Sequence, residues 1–235
     1  MSLTRWNEAH AAAMVAAAAV AAWLGLPVVL AAAAAVSFAV LLRSTWRAWT
    51  SSGTFGVANA VTTVRLAVIL GLLAGGLWPF PWTLALLALA VILLDGVDGW
   101  AARRFGTQGE FGARYDVAVD SVFVLALSVI LLARDTLGPW VLAAGLWHYV
   151  YVLAPVVFPT ERAEAQRSRW GCTVFVTLVG TLTAAFVVPR TLASASVAIA
   201  LTAQSVSFAR SFWERYGSGR TFSWPAREAS TGGRR

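Results

Sequence analysis

Lysine is absent: all 18 basic residues are arginine, and with 11 acidic residues only 12% of the 235-residue chain is charged. A single cysteine, Cys172, excludes both an intrachain disulfide and a cysteine-built metal cluster. Charge this sparse, beside 59% hydrophobic residues and a mean hydropathy of +0.71, excludes a soluble domain of this size. The formal surplus of +7 lies in short gaps between apolar stretches rather than in one tail or patch. That distribution argues against nucleic acid as a partner and for anionic lipid or phosphorylated substrates. The start, Arg5 followed by an Ala-rich run, superficially resembles a signal peptide. Glu8 and His10 interrupt it and another apolar stretch follows at once, so a retained membrane segment is expected.

What is abundant is apolar sequence in lengths that cross a bilayer, about 20 residues each. Breaks at Gly, Pro and Arg clusters leave six spans near 57–77, 82–101, 113–133, 138–158, 171–189 and 191–212. Residues 9–42 are too long for one span and are punctuated by Gly25-Leu26-Pro27, which predicts a helical hairpin near 6–24 and 27–43. One long tilted helix is the alternative there, because alanine adds little to insertion. The expected fold is an all-α polytopic membrane bundle of about eight spans. Its divisions are an Ala-rich hairpin over 1–43, an interfacial segment over 44–56, a six-helix core over 57–213 and a disordered tail over 214–235. The interfacial segment carries Arg43, Trp46, Arg47, Trp49 and Phe55, and reads as a short amphipathic helix or an ordinary connector.

Eight alternating spans with a cytoplasmic N-terminus put fifteen arginines inside and only Arg134 and Arg190 outside, with Arg65 within a span. The positive-inside rule favours this orientation. Trp78, Trp82 and Trp140 then flank the outer ends, and Trp46, Trp49, Trp100, Trp170 and Trp213 the inner ones.

Against this background Asp95, Asp98, Asp116 and Asp120 are out of place, since charge within apolar spans is expensive. Asp95 and Asp98 are three apart and Asp116 and Asp120 four apart, so each pair shares a helix face. Two antiparallel helices joined by a Gly-rich turn bring the pairs to similar depth. Four carboxylates there need compensation, and two divalent cations would cancel the formal charge of −4. All-oxygen ligation favours Mg²⁺, Mn²⁺ or Ca²⁺ over zinc, and paired metals suit phosphoryl chemistry. Any one of these aspartates has a plainer reading, as a helix cap at Asp116 or as a partner of Arg65, Arg103 or Arg114. Four together at these spacings favour the shared site.

The segment from Asp95 to Asp120, DGVDGWAARRFGTQGEFGARYDVAVD, resembles the signature of the CDP-alcohol phosphotransferases, also called CDP-alcohol phosphatidyltransferases. That signature is DxxDGxxAR, eight residues, G, three, D, three, D. Asp95, Asp98, Gly99, Ala102, Arg103, Gly112, Asp116 and Asp120 fill it without insertion or deletion. Asn59, Thr62 and Arg65 are similar to an NxxTxxR pattern at the start of the family's first core helix. Their plainer reading is a helix cap and a snorkelling arginine. The resemblance implies a six-helix core and transfer of a phosphoalcohol group from a CDP-linked lipid, typically CDP-diacylglycerol, to a small alcohol with release of CMP. It implies Asp95, Asp98 and Asp116 as metal ligands and Asp120 as general base and shared ligand, with Mg²⁺ or Mn²⁺, two ions per site. Asp98, Gly99, Ala102, Arg103 and Gly112 would form the nucleotide pocket, and a homodimer in the plasma or inner membrane with a cytoplasmic site is expected. Asn59, Thr62, Arg65, Arg162, Arg167 and Arg169 are candidates for lipid or acceptor phosphate. The last three read equally as a positive-inside loop paired to Glu161 and Glu164, and His148 reads as a packing residue. The Ala-rich hairpin is extra to the family core.

Two other classes use membrane aspartates. Mg²⁺-dependent prenyltransferases carry their two Asp motifs on widely separated helices, whereas Asp98 and Asp116 are 18 positions apart. Cation transporters hold carboxylates near the midplane rather than beside glycines and arginines at one surface.

Overall fold

The computed structural model describes residues 2–46, 49, 55–105, 109–159 and 169–217, apart from the side chains of 97–105 and 169. These residues form eight helices: α1 (Leu3–Leu24), α2 (Val28–Ser44), α3 (Val57–Ala74), α4 (Pro81–Phe105), α5 (Glu110–Ala133), α6 (Leu142–Val157), α7 (Arg169–Ala184) and α8 (Arg190–Tyr216). A 3₁₀ turn, Pro139–Val141, leads into α6. Among the described residues there is no strand, and the all-helical membrane bundle expected from the sequence is what the chain forms.

The first two helices are a hairpin because of the punctuation between them. Gly25 adopts a left-handed φ of 66° and donates its N–H to Ala21 O, while Leu26 N–H also reaches Ala21 O at 2.9 Å. This closes α1 in a conformation that glycine takes without strain, and Pro27 starts the next helix. Trp6 Nε1 donates to Ser37 O at 3.0 Å and His10 Nδ1 bonds Ser37 Oγ at 2.8 Å, pinning α1 to α2. The hairpin packs through α1 against α5 and α6 and through α2 against α3. It is therefore part of the bundle's body.

At the centre stands α5, buried continuously from Ala118 to Leu131 and apolar there apart from Asp120, Ser121 and Ser128. Gly145 lets α6 approach it closely: a Cβ there would lie 2.5 Å from Leu125 Cα. Arg134 ties the far end of α5 to the α3–α4 turn through Gly76 O at 3.2 Å and Trp78 O at 2.6 Å.

By length and composition four stretches are suited to cross a membrane, namely Val57–Ala74, Glu110–Ala133, Pro139–Val157 and Arg190–Tyr216. Val28–Ser44, Pro81–Gly96 and Trp170–Ala184 are shorter apolar helices. Large apolar side chains such as Trp82, Leu93, Val176 and Ile199 cover the outside, as lipid contact requires.

Helix ends depart from the span limits. α4 continues through Gly96 and Gly99 to Phe105, and α5 begins at Glu110 rather than near 113. The apolar count measures only the lipid-immersed stretch, whereas helical hydrogen bonding propagates past it through residues such as Arg103 and Arg114 that favour helix. Most of the interfacial segment, and the tail from residue 218, lie outside the described residues. From that segment Trp49 and Phe55 are seen, ring edge to face with centroids 4.7 Å apart and packed against the core.

Candidate active site

α3 delivers Asn59, Thr62 and Arg65 at successive turns, all buried. Asn59 Nδ2 donates to Phe55 O at 2.7 Å, and Thr62 Oγ1 to Ala58 O at 3.1 Å. Thr63 Oγ1, 3.0 Å from Tyr115 Oη, fastens this end of α3 to α5. Gly112 permits the same close approach: a Cβ there would fall 2.9 Å from Asn59 Oδ1.

Arg65 reaches into the carboxylates. Its Nη1 lies 2.7 Å from Asp116 Oδ1, its Nη2 lies 2.9 Å from Asp95 Oδ1, and Nη2 also donates to Asp120 Oδ1. The guanidinium fork thus serves three carboxylates from one side chain. Asp95 comes from α4 and Asp116 and Asp120 from α5, so three helices meet at this point. Asp116 sits well inside α5, which Gly109 caps, and so is not a capping residue. Arg114 pairs with Glu110 at 3.0 Å instead of with an aspartate of the cluster.

Ligand oxygens of Asp95, Asp116 and Asp120 all lie within 4.8 Å of one another. Three hard oxygen donors in that space suit Mg²⁺ or Mn²⁺. Arg65 offsets one of the three negative charges, so these four side chains keep a net negative formal charge. The donor set therefore fits the metal that the resemblance implies.

From this cluster a cavity of about 420 Å³ runs between α5, α6, α7 and α8. Asp95, Asp116 and Asp120 stand at one side, while Ser121, His148, Tyr151, Gln204, Ser207 and Ser211 add polar groups to a wall that is otherwise mostly apolar, with Val124, Phe175 and Phe208. Gln204 donates from Nε2 to Ala144 O at 3.1 Å, and its buried Oε1 has no partner among the described residues. A smaller, mostly apolar cleft of about 40 Å³ reaches Arg65, Asp95 and Asp120 past Ile92, Phe123, Phe175 and Val176.

The structure thus brings together Asp95, Asp116, Asp120 and Arg65, with Asn59, Thr62 and Gly112 beside them. Asp98, Gly99, Ala102 and Arg103 lie on α4, but their side chains are outside the described residues. Arg162 and Arg167 fall outside them altogether, and Arg169 opens α7 with its side chain likewise outside. His148, read as a packing residue, lines the cavity. Sequence reasoning also missed Gln204, Ser207 and Ser211. Their spacing of three and four puts them on one face of α8, but Ser194, Ser196, Thr202 and Ser205 on the same helix made that signal weak.

No solved structure matches the chain. The sequence model described as CDP-alcohol phosphatidyltransferase matches residues 55–209, from the turn before α3 into α8, with the entire carboxylate segment inside it. A match over most of the chain, carried on an apolar eight-helix bundle, makes this protein a member of the CDP-alcohol phosphatidyltransferase family and thereby a membrane phosphotransferase.

Proposed function

We propose that this enzyme transfers the phosphatidyl group of a CDP-linked lipid such as CDP-diacylglycerol to a small acceptor alcohol, releasing CMP, in phospholipid synthesis. The observation that carries this reading is the meeting of Asp95, Asp116, Asp120 and Arg65 beside a cavity whose remaining wall bears hydroxyl, amide and imidazole groups.

Asp95, Asp98 and Asp116 would hold Mg²⁺ or Mn²⁺, two ions per site, with Asp120 sharing one. Bound there, the divalent cations supply neutralisation of the donor pyrophosphate and of the charge that develops on the departing CMP. Asp98, Gly99, Ala102, Arg103 and Gly112 form the nucleotide pocket. The apolar cleft at Ile92, Phe175 and Val176 lets the lipid part of the donor stay at the bilayer while its phosphates reach the aspartates.

The acceptor lies in the larger cavity, oriented by Gln204 Oε1 and the hydroxyls of Ser121, Ser207 and Tyr151. Its hydroxyl oxygen attacks the lipid-linked phosphorus in line. The new P–O bond forms as the P–O bond to CMP breaks, and the hydroxyl proton passes to Asp120. Arg162, Arg167 and Arg169 are the candidates for an acceptor phosphate. The protein works as a homodimer in the plasma or inner membrane with this site facing the cytoplasm, where the arginine bias places it.

The test is CMP release by detergent-purified protein supplied with CDP-diacylglycerol, Mg²⁺ and a panel of acceptors: glycerol phosphate, inositol phosphate, inositol and serine. Acceptor-dependent CMP is expected with one of them. Silence across the panel from folded protein, with Mn²⁺ also tried, contradicts the reading.

A further inference from the structure

The guanidinium of Arg65 bonds the same carboxylates that would hold a metal. Its contacts with the described aspartates end on the Oδ1 atoms of Asp95, Asp116 and Asp120, and these are the carboxylates whose oxygens cluster within 4.8 Å. Arg65 is itself 1% exposed, so water does not screen it from a neighbouring cation. A divalent ion sits about 2.0–2.5 Å from its oxygen ligands. An ion sharing these oxygens would lie within a few ångströms of the guanidinium nitrogens, where like charges repel strongly in a poorly hydrated site.

The formal charges point the same way. Four aspartates carry −4 and two divalent ions +4, so Arg65 becomes a surplus positive charge once the site is loaded. A CDP-linked donor brings phosphate oxygens to the same place, and a guanidinium pairs with phosphate as well as with carboxylate.

We propose that Arg65 is an internal counter-ion that positions the three carboxylates in the metal-free enzyme and competes directly with the divalent cation for them, yielding them as the metal binds and turning toward the donor phosphates. Arg65 is thus a positioning residue with two alternative partners. The inference rests on the metal-binding role assigned above to the aspartates.

The test measures Mn²⁺ affinity of the full-length protein in detergent by electron paramagnetic resonance, without nucleotide, together with its melting temperature with and without Mn²⁺. Arg65→Gln should bind Mn²⁺ about tenfold more tightly than the wild type, with Arg65→Lys between them. Arg65→Gln should also melt lower without metal and recover with it. A purely structural arginine gives the opposite sign, since loosening the site weakens binding. Wild-type protein that binds Mn²⁺, with folded Arg65→Gln binding it equally or more weakly, overturns the competition and leaves the metal site standing. Absence of Mn²⁺ binding in all three proteins overturns the metal site as well. If Arg65→Gln does not fold without metal, Arg65→Lys carries the comparison: tighter binding than wild type supports the competition, and equal or weaker binding overturns it.

Discussion

Asp120 is the most enclosed carboxylate of the cluster, its side chain 13% exposed against 30% for Asp116 and 48% for Asp95. That gradient fits a division of labour in which Asp95 faces the incoming metal and nucleotide while Asp120 faces the acceptor at the head of the cavity. Asp120→Asn should therefore lower kcat by about 10³-fold while Mn²⁺ affinity is largely kept. Asp95→Asn should weaken Mn²⁺ binding directly. Paired titrations of the two variants check this, and equal loss of metal affinity in both sinks the division of roles. At this scale the sequence was informative where a residue type is costly in its setting. Aspartates inside apolar helices have few reasons to exist, so their spacing pointed to a site. Serine is a different matter. Ser121 and Ser211 donate to the carbonyls of Val117 and Ser207 in their own helix, an arrangement any membrane helix tolerates, so hydroxyls alone did not distinguish a cavity wall from lipid-facing surface. Arg65 was legible as an oddity within a span, but Asp95, Asp116 and Asp120 come from two other helices and only the fold brings them to it.

Between elements, two glycines with opposite surroundings separate packing from propensity. Gly145→Ala drives a methyl into Leu125 of the central helix, and a loss of about 1–3 kcal/mol is expected, read as a lower melting temperature in detergent. Gly71→Ala on α3 meets nothing within 4 Å and should be neutral or stabilise by up to about 1 kcal/mol. Equal destabilisation by both would mean that α6 does not pack on α5 as described. Helix existence followed directly from apolar length, and the hairpin from Gly25-Leu26-Pro27. Helix ends did not follow, because the extension of α4 to Phe105 depends on local hydrogen bonding beyond the apolar stretch. The packing of α1 against α5 and α6 was equally hidden. There His10 of α1 meets Tyr149 of α6, while Phe38 of α2 meets Tyr115 of α5, matches of shape that no periodicity encodes.

For the molecule as a whole, the apolar exterior and the cavity beside the aspartates divide the work between bilayer and water. Cys172, the one cysteine of the chain, is exposed and lines that cavity, so it reports on the cavity's accessibility. A membrane-impermeant maleimide should label it in inside-out vesicles and not in right-side-out ones. CDP-diacylglycerol with Mg²⁺ should slow the labelling, whereas unchanged labelling with substrate present would separate the cavity from the reaction. The most direct measurement compares wild-type protein with Asp120→Asn, following CMP and phospholipid product together from CDP-diacylglycerol and the acceptor that supports turnover. One CMP for each phospholipid formed by the wild type, and about 10³-fold slower formation of both by folded Asp120→Asn, is the predicted result. CMP appearing without a phospholipid product, or undiminished transfer by Asp120→Asn, would contradict it.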